Sequence, residues 1–165
     1  MSGPCVEFEE RLRAADRLTG HQSLFAWVDG VADAEQCIGA GLRRTCRSVD
    51  WPLFERYVLV AHRRPSRAYT AALCDVLARH GDEVNNEDIV DVLAEIRDPA
   101  AVGFLADTLW WQPPWDEFHQ LAVKCVWALV AIGTPEAFAV VCEAAVCEAE
   151  EIREAALRQL DVAGR

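Results

Sequence analysis

Cysteine and histidine are the side chains of this sequence with the widest chemistry, as metal ligands or as nucleophiles. Seven cysteines and four histidines occur among the 165 residues. The closest cysteines, Cys142 and Cys147, lie five residues apart, and the histidines are isolated from one another. Zinc requires three or four converging ligands, usually supplied as short pairs on turns. The spacing therefore predicts no metal site and no cofactor.

One cysteine has surroundings that could activate a thiolate. Cys46 follows Arg43 and Arg44 and precedes Arg47, and nearby cations lower the pKa of a thiol. Nucleophilic catalysis also needs a second group, and no partner can be named, so a buried helical cysteine is the favoured interpretation. No nucleophile elbow, phosphate-binding glycine loop or dinucleotide fingerprint occurs. We therefore expect no catalytic residues.

The remaining cysteines predict the redox environment. An odd number of cysteines, mostly among apolar neighbours, is typical of reduced thiols, so we expect no disulfide. Cys74, Cys125 and Cys142 lie on apolar helical stripes and are expected to be buried. No apolar run approaches the ~18 residues of a membrane span, and acids occupy the region where a signal peptide would be apolar. The prediction is a cytoplasmic protein that does not enter a membrane.

The segment 110–115, Trp-Trp-Gln-Pro-Pro-Trp, is the most unusual stretch of the chain. Tryptophan is enriched at binding hot spots, and helical repeats place their insertions in loops on one edge. The alternative is that two of the three tryptophans seal a junction between helices. Because Trp110 continues the apolar face of its helix, sealing is favoured for Trp110, and partner binding for Trp111 and Trp115.

Charge is distributed unevenly along the chain, whose net charge is −11. Residues 1–80 hold 11 Arg and 10 acids, whereas residues 81–165 hold five cations and 17 acids. Such a field repels phosphate backbones and attracts cationic surfaces. The acidic half disfavours nucleic acid and favours a basic protein partner, unless the acids only solvate the surface. Two basic clusters are expected to pair with neighbouring acids or remain solvated: Arg43, Arg44, Arg47 and Arg63, Arg64, Arg67.

Helical periodicity dominates, and no alternating apolar and polar run is present, so the predicted fold class is all-α. The first helices are predicted over 4–18, ending before Gly20, and over 23–28 and 33–47. Gly39 and Gly41 weaken the last of these, because an interior glycine costs about 1 kcal/mol against alanine. The next predicted helix begins after the N-cap Asp50 and ends before Pro65.

From this point the sequence repeats, which decides the predicted architecture. Segments 93–99 (Leu-Ala-Glu-Ile-Arg-Asp-Pro) and 129–135 (Leu-Val-Ala-Ile-Gly-Thr-Pro) share Leu, Ile and Pro at a shift of 36 residues. An earlier unit is less regular, because Glu55 and Arg56 replace apolar residues. The pattern predicts at least three antiparallel helix pairs over about 50–162, with helices begun by Pro65, Pro99 and Pro135.

These repeats resemble HEAT repeats, especially the short variety also found in phycobilin lyases. The matching residues are Asp-Pro-Ala-Ala-Val at 98–102, Ile-Gly-Thr-Pro-Glu-Ala at 132–137, and Ile152-Arg153-x-x-Ala156-Leu157-x-x-Leu160. The resemblance implies a right-handed α-solenoid with the second helix of each pair on its concave side. It also keeps open a lyase or another small-molecule-handling enzyme. HEAT-like oxygenases use His-Glu pairs and HEAT-like glycosylases a cationic groove, and the sequence predicts neither.

One domain is expected over 1–165, with an N-terminal helical cap at 1–49 and HEAT-like repeats at 50–165. The predicted function is a non-enzymatic protein-binding module. An inhibitor or immunity protein that masks a basic toxin suits a small acidic domain, and an adaptor is the competing hypothesis.

The repeat register predicts the binding face. The positions two residues before the repeated leucines are Asp91, Trp127 and Arg158, which should form a row on the concave surface. The complete predicted partner-binding set is Asp88, Asp91, Glu95, Trp111, Trp115, Gln120, Lys124, Trp127, Glu151, Glu154 and Arg158.

Overall fold

The computed structural model describes residues 3–15 and 21–164, and those residues form helices and connecting segments with no strand. The all-α prediction is confirmed over these ranges. The helices are α1 (Gly3–Ala14), α2 (His21–Gly30), α3 (Ala34–Ser48), α4 (Trp51–Arg63), α5 (Thr70–Leu77), α6 (Asn86–Ile96), α7 (Val102–Trp110), α8 (Gln120–Ile132), α9 (Pro135–Ala144) and α10 (Glu150–Val162). Single 3-10 turns, Arg67–Tyr69 and Pro99–Ala101, precede α5 and α7. The predicted end of the first helix, at Leu18 and Gly20, lies outside the described residues.

Helix starts follow the predicted capping chemistry, with one exception. The Asp50 carboxylate accepts a hydrogen bond from the Leu53 N–H, and the Thr134 hydroxyl accepts one from the Ala137 N–H before Pro135. Pro99 likewise begins a helical turn. Pro65 does not begin a helix, because the extended Ser66 that follows it provides the cap for the next turn.

From α3 onward each helix packs against its second neighbours along the chain, and several also pack against an immediate neighbour. α4, α6, α8 and α10 contact one another in succession, and α3, α5, α7 and α9 do the same. Contacts also join α3 to α4, α5 to α6, α7 to α8 and α9 to α10. Apolar side chains from both series merge into one buried core. This core fixes which side of each helix remains available to solvent.

The N-terminal helix α1 is attached to α3 by a disulfide bond between Cys5 and Cys37, both buried. The expectation that every cysteine stays reduced is therefore wrong for this pair. The two residues are 32 apart in sequence, and their Cα atoms are brought to 4.9 Å by the packing of α1 on α3. No local motif indicates such a long-range pair, and an odd number of cysteines does not exclude a disulfide between two of them.

Polar contacts also hold the end of α1. The Arg56 guanidinium donates hydrogen bonds of 2.6–2.9 Å to the carbonyl oxygens of Leu12, Arg13 and Ala15. These are groups that the end of a helix leaves without intrahelical partners. Arg56, which breaks the repeat pattern in the sequence, thus caps α1.

The free cysteines divide by exposure. Cys74 and Cys125 are buried, as predicted, whereas Cys142 is exposed, which contradicts the prediction for that residue. Cys142 lies on the solvent side of α9, because Val141 and Phe138 take the buried positions. Burial, helped by the charges of Asp75 and Asp98, raises the pKa of the Cys74 thiol to about 12.

Native thiol labelling tests this division. We expect a maleimide to modify Cys142 quickly and to leave Cys74 and Cys125 unmodified, because only an accessible thiolate reacts. Peptide mass mapping after a short pulse measures each site, with the urea-unfolded chain as the reference for full reactivity. Labelling of Cys74 or Cys125 at the rate of Cys142 would contradict the described packing.

Candidate functional site

Carboxylates of α6 and a lysine of α8 meet across the surface of these two packed helices. The Lys124 ammonium lies 2.7 Å from the Asp91 carboxylate and 3.2 Å from that of Glu87. Burial alone would lower the pKa of Lys124, but hydrogen bonds to Asp91 and Glu87 outweigh that effect and hold the pKa above its usual value. Lys124 thus offsets the negative charge of Asp91 and Glu87 on α6.

Two acids on the same helix face remain without such a partner. No cation among the described residues lies within 4.0 Å of the carboxylates of Asp88 or Glu95. Partial loss of hydration raises the pKa of Asp88, and the charges of Asp91, Glu55 and Glu87 add to this, against the opposing charge of Lys124. The α6 face therefore keeps a net negative charge.

Trp127 lies off the buried side of α8 and is 47% exposed. The same helix buries Leu121, Cys125 and Leu129, so the predicted exposed position of Trp127 is confirmed. The water-exposed part of this indole contributes no free energy of apolar burial in the free protein. A partner that covers the ring would gain that free energy on binding.

The helix α10 packs on α8 and carries exposed charges of its own. Glu151, Glu154 and Arg158 are all exposed, and Arg158 pairs with Glu154 at 3.1 Å on its own helix. Among the described residues the ion pair of Arg158 is with its own helix and not with the acids of α6. We call the following exposed or half-buried side chains of α6, α8 and α10 the acidic tryptophan face: Asp88, Asp91, Glu95, Lys124, Trp127, Glu151, Glu154 and Arg158.

The tryptophan-rich loop after α7 divides its aromatic residues differently from the prediction. Trp110 is 45% exposed, although sealing of a junction was the favoured role for it. Trp111 is half-buried, packs against the core and stacks on the ring of His80 with centroids 4.8 Å apart. The helix ends at Trp110, which rotates the following residue toward the core. Trp115 packs edge-on against Trp111 and remains 45% exposed.

Asp116 holds the end of this loop, a role that no sequence pattern predicted. Its carboxylate accepts hydrogen bonds of 2.7 and 2.9 Å from the N–H groups of Gln120 and Leu121 at the start of α8. The Gln120 side chain turns back to the carbonyl oxygen of Phe118. Gln120, the first residue of α8, is thus bonded back to the loop, and its role in partner binding stays a prediction.

The two arginine clusters mix ion pairs with solvated side chains. Arg44 pairs with Glu9 of α1, and Arg63 pairs with Asp29 of α2.

Cys46 is buried, as predicted for a structural cysteine, and its sulfur accepts a hydrogen bond of 3.0 Å from Arg79. That guanidinium also lies 5.2 Å from the ring centroid of Trp51. Arg79 therefore contacts both the sulfur of Cys46 on α3 and the ring of Trp51 on α4.

Within the described residues, no three His, Cys, Asp or Glu side chains converge as a metal site requires. None of the described helices has the length and apolarity needed to cross a membrane. Comparisons with protein-family models, curated proteins and solved structures gave no match to this chain. The acidic tryptophan face and the Trp115 loop are thus interpreted from their own chemistry.

Proposed function

We propose that this chain is a non-enzymatic, HEAT-like helical module that captures a basic protein partner on its acidic tryptophan face. Two features support the proposed right-handed solenoid of antiparallel pairs. The successive contacts of alternate helices are those that stacked repeats make. The short connections that lead into Pro99 and Pro135 also suit paired helices.

The observation that carries the proposal is the exposure of Trp127 on a helix packed between two acidic helices. Trp is among the residues most enriched at binding hot spots, where a large ring is fully desolvated by the partner. Asp88 and Asp91 lie on α6 and Glu151 and Glu154 on α10, so the surrounding charge favours encounter with a cationic surface. Burial of the indole would supply affinity, and the acids would supply selectivity.

Masking a basic toxin and acting as an adaptor both fit this chemistry, and the first suits a small acidic domain better. Disulfides persist in oxidising compartments and are rare in the cytoplasm. A cytoplasmic location therefore fits the proposal only if Cys5 and Cys37 are reduced there. The compartment in which the protein is found therefore determines both the state of this disulfide and the partners that the protein can meet.

Two substitutions test the face directly. Trp127→Ala removes the exposed indole, and Asp91→Lys reverses a charge on α6, and each is expected to weaken partner binding by about 1–3 kcal/mol. The partner is first captured from native lysate on the immobilised wild-type chain, identified by mass spectrometry and purified. Calorimetry or surface plasmon resonance then compares its affinity for each variant at low and high salt.

The matched control is Asp107→Lys, the same charge reversal at an exposed position of α7, outside the acidic tryptophan face. It should retain most of the wild-type affinity. If both test variants keep wild-type affinity and native circular dichroism, the face is not the binding site. The Trp111 and Trp115 loop then becomes the surface to test.

A further inference from the structure

A groove of about 140 Å³ lies between α4 and α6, at the edge of the acidic tryptophan face. Its volume is well below the ~300 Å³ at which pockets for drug-sized ligands begin, so it suits one long side chain rather than a small-molecule substrate. The groove is lined by Val58, Leu59, His62, Asp88, Asp91 and Val92.

The floor and the rim of this groove differ in polarity. Val58 and Val92 are buried and Leu59 is half-buried, so the floor is aliphatic. Asp88 and Asp91 provide carboxylates at the rim. An apolar channel that ends at carboxylates is complementary to an aliphatic stem that ends in a cation.

The two carboxylates of the groove are not equivalent. Asp91 is already neutralised by Lys124 at 2.7 Å, whereas no described cation lies within 4.0 Å of Asp88. Asp88 also lines a smaller adjoining recess that includes Glu55. A cation bound in the groove would therefore meet Asp88 first, with the charge of Glu55 nearby.

The shape of the cation follows from these surroundings. A guanidinium is planar, can donate two parallel hydrogen bonds to one carboxylate and is more weakly hydrated than an ammonium. Its stem of methylene groups can lie on Leu59 and Val92. A bare metal ion would use the carboxylates and leave the aliphatic floor without a role.

We infer that the α4–α6 groove binds one arginine side chain of the protein partner, with its stem on the Leu59–Val92 floor and its guanidinium on Asp88. This inference rests on the proposed function and specifies the chemistry that the partner presents. The groove would anchor one residue of an interface that Trp127 also contacts.

The test uses a probe that does not depend on knowing the partner. Nα-acetylarginine amide is titrated into the ¹⁵N-labelled protein, alongside the neutral isostere Nα-acetylcitrulline amide and the lysine analogue. We expect saturable amide shifts at Leu59, Asp88 and Val92 with arginine, and affinity about tenfold lower or worse with citrulline, because a charge-assisted bond is lost. Asp88→Asn should reduce arginine affinity by a similar factor.

Asp107→Asn is the matched control, since it neutralises an exposed aspartate on α7, outside the groove. It should leave arginine affinity unchanged, and the amide spectrum of each variant reports whether the fold is intact. Shifts spread over the acidic surface without saturation would overturn the inference. So would tighter binding of the lysine analogue, or Ca²⁺ producing the same shifts as arginine.

Failure of the groove and failure of the proposed function can be distinguished. The effect of Trp127→Ala is measured on the affinity for the whole partner, and Trp127 does not line the groove. Partner binding can therefore depend on Trp127 even if the arginine probe does not bind. In that case the groove inference falls alone. Unchanged partner binding by both Trp127→Ala and Asp91→Lys overturns the function on which the inference rests.

Discussion

Replacing both Cys5 and Cys37 with alanine is expected to lower the free energy of unfolding by about 3–4 kcal/mol. The bond closes a loop between residues 32 apart, and the chain entropy it removes from the unfolded state corresponds to this magnitude. Alanine keeps both positions small and apolar, which limits other losses at these buried sites. Urea unfolding followed by circular dichroism, without reductant, measures the difference.

Reductant supplies an independent comparison for the disulfide. Dithiothreitol should destabilise the wild-type protein by a similar amount and leave the double alanine variant unchanged. Cys142→Ala is the control for cysteine replacement as such, because Cys142 is exposed and free. Equal unfolding midpoints for oxidised and reduced wild type, with the expected mass difference of two hydrogen atoms, would show that the bond does not contribute to stability.

Local patterns in the sequence were sufficient to predict the helices. The N-cap at Asp50, the helix start at Pro135 and the apolar spacing around Leu129 depend on residues close in sequence, so the structure reproduces them. The exposed position of Trp127 followed from the same spacing. Which helices touch depends on the whole chain, and there the sequence was less informative.

Apart from the exposed position of Cys142, the features missed in the sequence arise from contacts between distant segments or from a change of helix end. Cys5 meets Cys37 because α1 packs on α3, and no spacing rule indicates that packing. Glu87 shares Lys124 with Asp91, although only the packing of α8 on α6 brings the lysine to both acids. Trp111 packs against the core while Trp110 is exposed, because α7 ends between them.

The glycines of α3 illustrate the same limit. Helix propensity treats Gly39 and Gly41 alike, but a Cβ atom at Gly41 would lie only 2.1 Å from the ring of Tyr57. Tyr57 is completely buried, and its hydroxyl donates to Glu9 of α1, so the ring has little room to move. Gly41 is therefore required for the approach of α3 to α4.

Gly41→Ala is accordingly expected to lower the free energy of unfolding by about 2 kcal/mol, because an overpacking cost of about 3 kcal/mol in a filled core outweighs the gain of about 1 kcal/mol in helix propensity. Gly39→Ala is the matched control two residues away. Its Cβ would meet the mobile end of Arg43 at 3.4 Å and the Tyr69 ring at 3.5 Å, so stability should be unchanged or slightly higher.

A second substitution separates the clash with Tyr57 from other effects of alanine at position 41. Tyr57→Leu removes the ring and costs stability by itself, but it also leaves space for the new methyl group. Adding Gly41→Ala to this background should then cost much less than it does in the wild type, which urea unfolding of the four proteins measures as a coupling energy. Equal costs in both backgrounds would mean that the ring of Tyr57 is not what excludes a side chain at Gly41.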